Sequence, residues 1–173
     1  FATFMEFCCA DSFRPDWDIW TSFGLSKSQA FETDALGNTR PIEYEVTTPA
    51  QAEGMFDILT YEKGASVLRM FERWVGPAAF RDGVRRYLDR HAYSNTDAAD
   101  LWAALSESSG LDVKAMMDTW ILQGGHPLIT AERVGGGLRL SQRPFGFEGG
   151  DGSPDTTWIA PVRLSGTSGG EPF

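Results

Sequence analysis

The sequence predicts a mainly α-helical fold that is followed by the first strands of a β-sheet. Over residues 1 to about 123, apolar residues recur at intervals of three and four, as they do on the buried faces of helices. After Gly125 apolar and polar residues alternate, which is typical of strands with one buried face. This change predicts two parts, a helical part at 1–125 and the beginning of a second domain at 126–173.

Two helices are predicted before residue 37. One apolar face of the first helix is formed by Phe1, Phe4, Met5 and Cys8. Pro15 ends this helix, because proline removes a backbone donor and clashes with the preceding turn. The second helix begins near Trp17 and stops at Gly37-Asn38, a C-terminal signature. Alternation over 42–46 then predicts a short extended segment.

Five further helices are expected between residues 48 and 125. Thr48-Pro49-Ala50-Gln51 fits a capping box with proline at the first helical position. A longer amphipathic helix is predicted over about 60–75, and the next over 77–91. Thr96 is predicted to cap the following helix, which Gly110 ends, and Asp112 to cap the last one.

The C-terminal part is predicted to contain two or three strands. Alternation over 127–133 and 138–143, with Gly135-Gly136-Gly137 between them, indicates a hairpin. A loop at 147–155 leads to a further strand at about 157–164. Because two or three strands do not complete a sheet, this part is expected to be only the beginning of a domain.

Composition and charge narrow the function classes. The net charge of -9 and the pI of about 4.6 argue against nucleic acid and anionic membranes as partners. No apolar run approaches the roughly 18 residues that a membrane-spanning helix needs. The two cysteines, Cys8 and Cys9, are adjacent and form no disulfide framework, which favours a reducing compartment, and we expect the cytoplasm. Little lysine beside abundant arginine, alanine and glycine suggests a GC-rich bacterial genome.

Most hydrolase motifs are absent from the sequence. His91 and His126 are the only histidines, no H-E-x-x-H pair exists, and no G-x-S-x-G motif is present. A self-contained zinc site is therefore not expected. Both histidines are predicted to be structural: His91 ends a helix and His126 lies in a loop. Cys8 and Cys9 are predicted to lie in the core.

One segment, Tyr61-Glu62-Lys63-Gly64-Ala65-Ser66-Val67-Leu68-Arg69-Met70-Phe71-Glu72, stands out as an amphipathic helix with a phenol in its first turn. On its own, the tyrosine would be a packing residue. The pattern Y-x-K-G-x-x-V-L-x-M-x-E, however, closely resembles the tyrosine helix of the gluzincin aminopeptidases, the family of aminopeptidase N and puromycin-sensitive aminopeptidase. The positions that agree are Tyr61, Lys63, Gly64, Val67, Leu68, Met70 and Glu72.

Flanking segments resemble the same family in the same order. The chain begins with Phe1-Ala2, which looks like the end of the family's N-E-G-F-A motif. Asp34-Ala35-Leu36 and Arg40-Pro41-Ile42 are similar to D-A-L and H-P-I, and Met117-Asp118-Thr119-Trp120 to M-D-T-W. Two departures stand out: Arg40 occupies a position where histidine is common, and His126 one where an aromatic residue is usual.

The resemblance implies a fold and a function. It implies the helical part of a thermolysin-like catalytic domain followed by the first strands of a small β-sandwich, in an enzyme that removes N-terminal residues from peptides. Tyr61 would stabilise the oxyanion, while zinc would be bound by segments before Phe1 that the chain needs as partners. No zinc is expected in this chain alone, and it should be inactive. Lys63 and Glu72 would be solvated or ion-paired scaffold residues, Gly64 would allow close packing, and the tryptophans would be core.

Two other hypotheses remain at this point. The chain could be a non-catalytic helical interaction scaffold derived from the same family, which the upstream sequence would distinguish from an enzyme. An unrelated α-solenoid would require an internal repeat, and the sequence shows no convincing repeat period.

Overall fold

The structure, a computed structural model, describes residues 1–147, 155–165, 167–168 and 171–172. The helices among them are α1 (Ala2–Phe13), α2 (Ile19–Asp34), α3 (Pro49–Glu53), α4 (Gly64–Val75), α5 (Pro77–Arg90), α6 (Ala98–Ser109) and α7 (Val113–Ile121). The strands are β1 (Pro127–Val134), β2 (Gly137–Pro144), β3 (Thr167–Ser168) and β4 (Glu171–Pro172). A 3-10 turn at Pro15–Trp17 joins α1 to α2, and a π-helical turn at Leu59–Lys63 precedes α4. The prediction of a mainly helical chain followed by strands is confirmed.

The helices enclose a core that is rich in aromatic side chains. Its most deeply buried large side chains are Phe4, Phe71, Leu105, Val113, Met116 and Met117. Edge-to-face packing of Phe4 on Phe80, with ring centroids 5.2 Å apart, ties α1 to α5. The tryptophan prediction holds only in part, because Trp17 and Trp74 are 57% and 40% exposed.

Local capping explains where several helices begin. Thr48 accepts a hydrogen bond from the Gln51 amide at 3.3 Å, so the predicted capping box is confirmed, although α3 has only five residues. Asp112 caps α7 as predicted. The prediction for α6 was wrong: its cap is Asp97, whose carboxylate accepts from the Asp100 amide while its own amide donates to the Asp100 carboxylate. The hydroxyl of Thr96 lies 2.6 Å from the Tyr87 hydroxyl instead.

The first predicted β-hairpin is confirmed and the further strand is not. β1 and β2 pair antiparallel, with Val134 opposite Gly137, and Gly135 has a φ of +59°, which a tight hairpin turn requires. Residues 157–164, predicted as a strand, have no regular secondary structure. Of the predicted loop at 147–155, residues 148–154 lie outside the described residues.

Side chains, rather than a neighbouring strand, hold the segment that was predicted as the further strand. The Gln142 amide bonds both the N–H and the carbonyl of Trp158, at 2.9 and 3.0 Å. From α7, the Trp120 indole donates to the Ile159 carbonyl at 2.9 Å, and the Thr119 hydroxyl accepts from the Ile159 amide at 3.1 Å. Since these groups satisfy the backbone, no ladder forms with β2 at this point.

The segment 42–46, predicted to be extended, joins no strand within the described part of the chain. Its Glu43 amide instead donates to the Ile121 carbonyl at the end of α7, at 2.9 Å. Among the described residues, no helix combines the length and the apolar character needed to cross a bilayer. The domain boundary after residue 125 stays a prediction.

Candidate active-site turn

Tyr61 lies in the π-helical turn that precedes α4. The turn spans Leu59–Lys63 and leads directly into α4, so the single helix predicted over 60–75 has a wider first turn. Wider turns of this kind are rare and are frequently found at functional sites. The tyrosine is 40% exposed, and its ring centroid lies 6.4 Å from that of Phe56, which is also exposed. The Tyr61 side chain is therefore accessible to solvent.

Asp57 caps the turn that carries Tyr61. One carboxylate oxygen, Oδ1, accepts hydrogen bonds from the amides of Leu59 and Thr60, each at 3.0 Å. The Asp57 carbonyl accepts from the Tyr61 amide at 3.2 Å. Because these bonds satisfy backbone donors that a helix start leaves unpaired, they fix the turn in place.

Arg40 contacts the same cap from a loop. Its Nη2 lies 2.6 Å from the Asp57 carboxylate and 2.9 Å from the Thr60 hydroxyl, and its Nη1 donates to the Pro41 carbonyl at 2.7 Å. The side chains of Arg40 and Asp57 are 21% and 37% exposed, so the pair is partly shielded from water. A planar guanidinium can serve several acceptors at once.

Two residues after Tyr61, Lys63 forms a buried ion pair. Its ammonium lies 2.9 Å from the Asp34 carboxylate and donates to the Gly125 carbonyl, also at 2.9 Å. The side chains of the pair are 5% and 1% exposed. Burial lowers the pKa of Lys63, and the carboxylate opposes that shift. Of the two predicted alternatives, the ion-paired one holds for Lys63.

Asp34 accepts several further hydrogen bonds. Donors are the Thr39 hydroxyl at 2.8 Å and the Gly125 amide at 2.9 Å, and His126 Nδ1 lies 3.3 Å from the carboxylate. Burial alone would raise the pKa of Asp34, but His126, Lys63 and Thr39 together lower it. His126 is in a loop as predicted, yet its side chain is only 12% exposed and packs between two aromatic rings.

Comparison of the amino-acid sequence with known proteins identifies the family of this chain. A sequence profile described as the peptidase family M1 domain matches residues 1–120, more than half of the chain. The chain belongs to peptidase family M1. The resemblance to the family of aminopeptidase N, inferred from the tyrosine helix and its flanking motifs, is confirmed.

Individual relatives agree with this assignment. Similar proteins include Tricorn protease-interacting factor F2 of Thermoplasma volcanium (40% identity over 165 residues, 95% of this chain and 21% of the relative). Aminopeptidase M1-D of Oryza sativa subsp. japonica is 40% identical over 165 residues, 95% of this chain and 19% of the relative. Aminopeptidase N of Lactococcus lactis subsp. cremoris is 38% identical over 169 residues, 96% and 20% respectively. The M1 chain thus spans about a fifth of the length of these curated relatives. They are archaeal, plant and bacterial, so a bacterial origin stays a prediction.

The described residues of this M1 chain do not fit a zinc site. Among them, no group of three or more His, Cys, Asp or Glu side chains could hold a metal ion. His91 lies 3.9 Å from Asp100, and His126 belongs to the Asp34 network. Glu72 is paired with Arg69 at 2.9 Å, as the ion-paired alternative predicted.

The two cysteines differ in their surroundings. Both are free; Cys8 is half-buried, whereas Cys9 is exposed, so the core prediction was wrong for Cys9. Burial is the main cause that raises the pKa of Cys8 to about 11, although Arg69 opposes it. The Cys8 thiol therefore stays protonated and is a poor nucleophile at neutral pH.

Close packing occurs at a different glycine from the predicted one. A Cβ added at Gly64 would meet Ile42 at 3.9 Å, an ordinary contact, so among the described residues nothing packs closely on Gly64, and the predicted close packing beneath the site stays a prediction. At Gly124 an added Cβ would lie 3.1 Å from the backbone carbonyl carbon of Arg40. Gly124 therefore allows the chain after α7 to pack against the loop that carries Arg40.

A mainly apolar cleft of about 400 Å³ lies between α2 and α4. Its walls include Trp20, Phe31 and Met70, and Lys63 and His126 also line it. Tyr61 is not among its lining residues, so the cleft and the phenol are separate features of the surface.

Sequence reasoning singled out Tyr61 but missed the residues that hold its turn. Asp34 and Lys63 each belonged to a quoted motif, yet nothing in their spacing of 29 residues indicated that they pair. Asp57, four positions before Tyr61, could have been found as a potential cap, because aspartate is a preferred residue at a helix N-terminus.

Proposed function

We propose that this M1 chain is part of an aminopeptidase that removes N-terminal residues from peptides, and that Tyr61 stabilises the oxyanion of the reaction. The observation that carries the proposal is the position of Tyr61: a partly exposed phenol on a capped π-helical turn, within a segment that matches the family's tyrosine helix. Two of the relatives described above are named aminopeptidases, which supports the activity.

The chemistry requires a hydrogen-bond donor at the substrate carbonyl. When a nucleophile adds to a peptide carbonyl, negative charge develops on its oxygen. A phenol is a donor at neutral pH, and a donor that is already oriented stabilises this charge with little reorganisation. Tyr61 would hold its proton and donate it as a hydrogen bond to that oxygen, without transferring it.

The contacts on either side of Tyr61 support such pre-organisation. The Asp57 cap holds the turn before the tyrosine, and the Lys63 ion pair holds it two residues later. Because the carboxylates of Asp57 and Asp34 each accept several hydrogen bonds, rotation of the turn would break several of these bonds at once. The tyrosine is thus held on a rigid element, as catalytic groups require.

Zinc belongs to the proposed parent enzyme and not to the described residues. The resemblance assigns two histidines and a glutamate to segments before Phe1, and a bound zinc ion supplies an activated water in such enzymes. We assign none of the described side chains to the metal. The proposed substrates are peptides with a free N-terminus, and the metal-bearing segments of the same protein complete the site.

Replacing Tyr61 with phenylalanine in the full-length protein tests the proposal. Tyr61→Phe should lower kcat about 10²- to 10³-fold on an aminoacyl anilide, with a smaller change in KM, because it deletes one oxyanion donor. The matched control is Tyr93→Phe, since Tyr93 is fully exposed, and this variant should keep the wild-type rate. A Tyr61→Phe rate within about threefold of wild type would contradict the role. A full-length protein that hydrolyses no aminoacyl anilide would instead favour the scaffold hypothesis.

A further inference from the structure

We infer that Arg40 is a positioning residue that acts on catalysis through Tyr61. This inference rests on the proposed function of Tyr61 and extends it to a residue outside the tyrosine helix. It starts from the observation that one guanidinium nitrogen, Nη2, bonds both the Asp57 cap and the Thr60 hydroxyl. Those two residues lie four positions and one position before the tyrosine.

The arrangement makes the orientation of the turn depend on Arg40. Asp57 Oδ1 accepts from two backbone amides and from Arg40, so the three donors converge on one oxygen. The Thr60 hydroxyl, next to Tyr61, is held by the same nitrogen at 2.9 Å. Without the guanidinium, Asp57 would keep its two amide donors but lose the charged donor, which makes the strongest of the three bonds and orients the carboxylate.

The loop that carries Arg40 is itself fixed. Nη1 donates to the Pro41 carbonyl at 2.7 Å, which limits the rotation of the side chain. Gly124 packs against the Arg40 backbone, and the adjacent Thr39 hydroxyl donates to Asp34, which is paired with Lys63. Residues 39 and 40 therefore connect Asp57, which caps the turn before Tyr61, with the ion pair of Asp34 and Lys63 that follows it.

The guanidinium is the group that this geometry requires. It offers five donors in a plane, whereas the ammonium of lysine is a point charge with three donors on a flexible stem. We expect Arg40→Ala to lower kcat about 10- to 100-fold with less change in KM, because a small misplacement of a catalytic group has a large effect on rate. Arg40→Lys should recover only part of that loss.

A double-mutant cycle in the full-length protein tests whether Arg40 acts through Tyr61. The cycle compares wild type, Arg40→Ala, Tyr61→Phe and the double variant by kcat on an aminoacyl anilide. If Arg40 positions the phenol, Arg40→Ala should cause little further loss once the phenolic hydroxyl is gone. An equal loss in both backgrounds would overturn the inference while leaving the role of Tyr61 intact. No effect of Tyr61→Phe alone would overturn the proposed function, and the inference with it.

Amide hydrogen exchange gives a second readout that does not depend on activity. Arg40→Ala should speed exchange at residues 59–61, whose amides bond to Asp57, and leave α6 unchanged. The control is Arg90→Ala, which removes an exposed arginine that makes two hydrogen bonds to Glu107. Unchanged exchange at 59–61, or equal acceleration throughout, would overturn the inference. If Arg40→Ala does not fold, Arg40→Lys and Thr60→Val serve in the same comparison.

Discussion

At the scale of single residues, the buried pair of Lys63 and Asp34 fixes the chain two residues after Tyr61. Asp34→Ala would leave the ammonium of Lys63, 5% exposed, with the Gly125 carbonyl as its one partner among the described residues. We expect the free energy of unfolding to fall by about 3–5 kcal/mol, the usual cost of removing one member of a buried pair. Chemical denaturation followed by circular dichroism measures it.

The matched control for that substitution is Asp118→Ala. Asp118 pairs with Lys114 one helical turn away, and the Lys114 side chain is 61% exposed. Exposed pairs contribute little because water and salt screen them. Equal losses of stability in Asp34→Ala and Asp118→Ala would show that the buried pair has no special structural role.

The two departures from the family pattern are informative at this scale. Arg40, where histidine is usual, contacts the carboxylate of Asp57. His126, where an aromatic residue is usual, contacts that of Asp34. The sequence identified both departures but not their partners. The reason is physical: spacings of 17 and 92 residues are set by the tertiary fold and not by local periodicity.

At the scale of secondary structure, the packing of α5 on α6 depends on Gly83. An added Cβ there would lie 2.5 Å from the Ser108 hydroxyl oxygen and 3.1 Å from the Cα of Leu105. Gly83→Ala should therefore lower stability by about 1–3 kcal/mol, although alanine is the better helix former. Thermal or chemical unfolding measures the change.

Gly24→Ala is the control, because Gly24 is also helical but an added Cβ would meet, beyond its own helix backbone, no atom of the described residues within 4 Å. That variant should gain about 0.5–1 kcal/mol from the higher helix propensity of alanine. A stabilising effect of both substitutions would mean that α5 and α6 do not approach as closely as the structure has them.

Helix boundaries were predictable where a local motif sets them. The Thr48 capping box and the Asp112 cap depend on residues at most three positions apart, and both were found from sequence. The π-helical turn at Leu59–Lys63 was not predicted, and the side chains that bond to it from outside, Arg40 and Asp34, lie 17 to 29 residues from their partners in sequence. The segment 157–164 was predicted as a further strand, but side chains of β2 and α7 bond to its backbone.

At the scale of the whole molecule, the fold class followed from one change in periodicity. Helical spacing up to about residue 123 and alternation after Gly125 correspond to α1–α7 and to the hairpin of β1 and β2. No metal site was predicted in this chain, because its two histidines do not form an H-E-x-x-H pair. The chain accordingly contains one element of the proposed active site and about a fifth of the length of its relatives.

We expect the polypeptide 1–173 alone to bind no stoichiometric zinc and to hydrolyse no aminoacyl anilide. The resemblance assigns the zinc ligands to other segments of the parent protein. Elemental analysis and one chromogenic assay measure both properties, with the full-length protein as the positive control. One equivalent of zinc together with hydrolysis by the 173-residue chain would contradict this division of the site.

The affinity of the full-length protein for a tetrahedral transition-state analogue reports on the hydrogen bond from Tyr61 to the oxyanion. If Tyr61 donates to the oxyanion, Tyr61→Phe should weaken the binding of a phosphinic peptide analogue about 10²- to 10³-fold, in parallel with kcat/KM. Binding of a product amino acid should change much less. An unchanged inhibition constant for the analogue, beside a reduced rate, would contradict the claim that the phenol stabilises the charge that develops on the carbonyl oxygen.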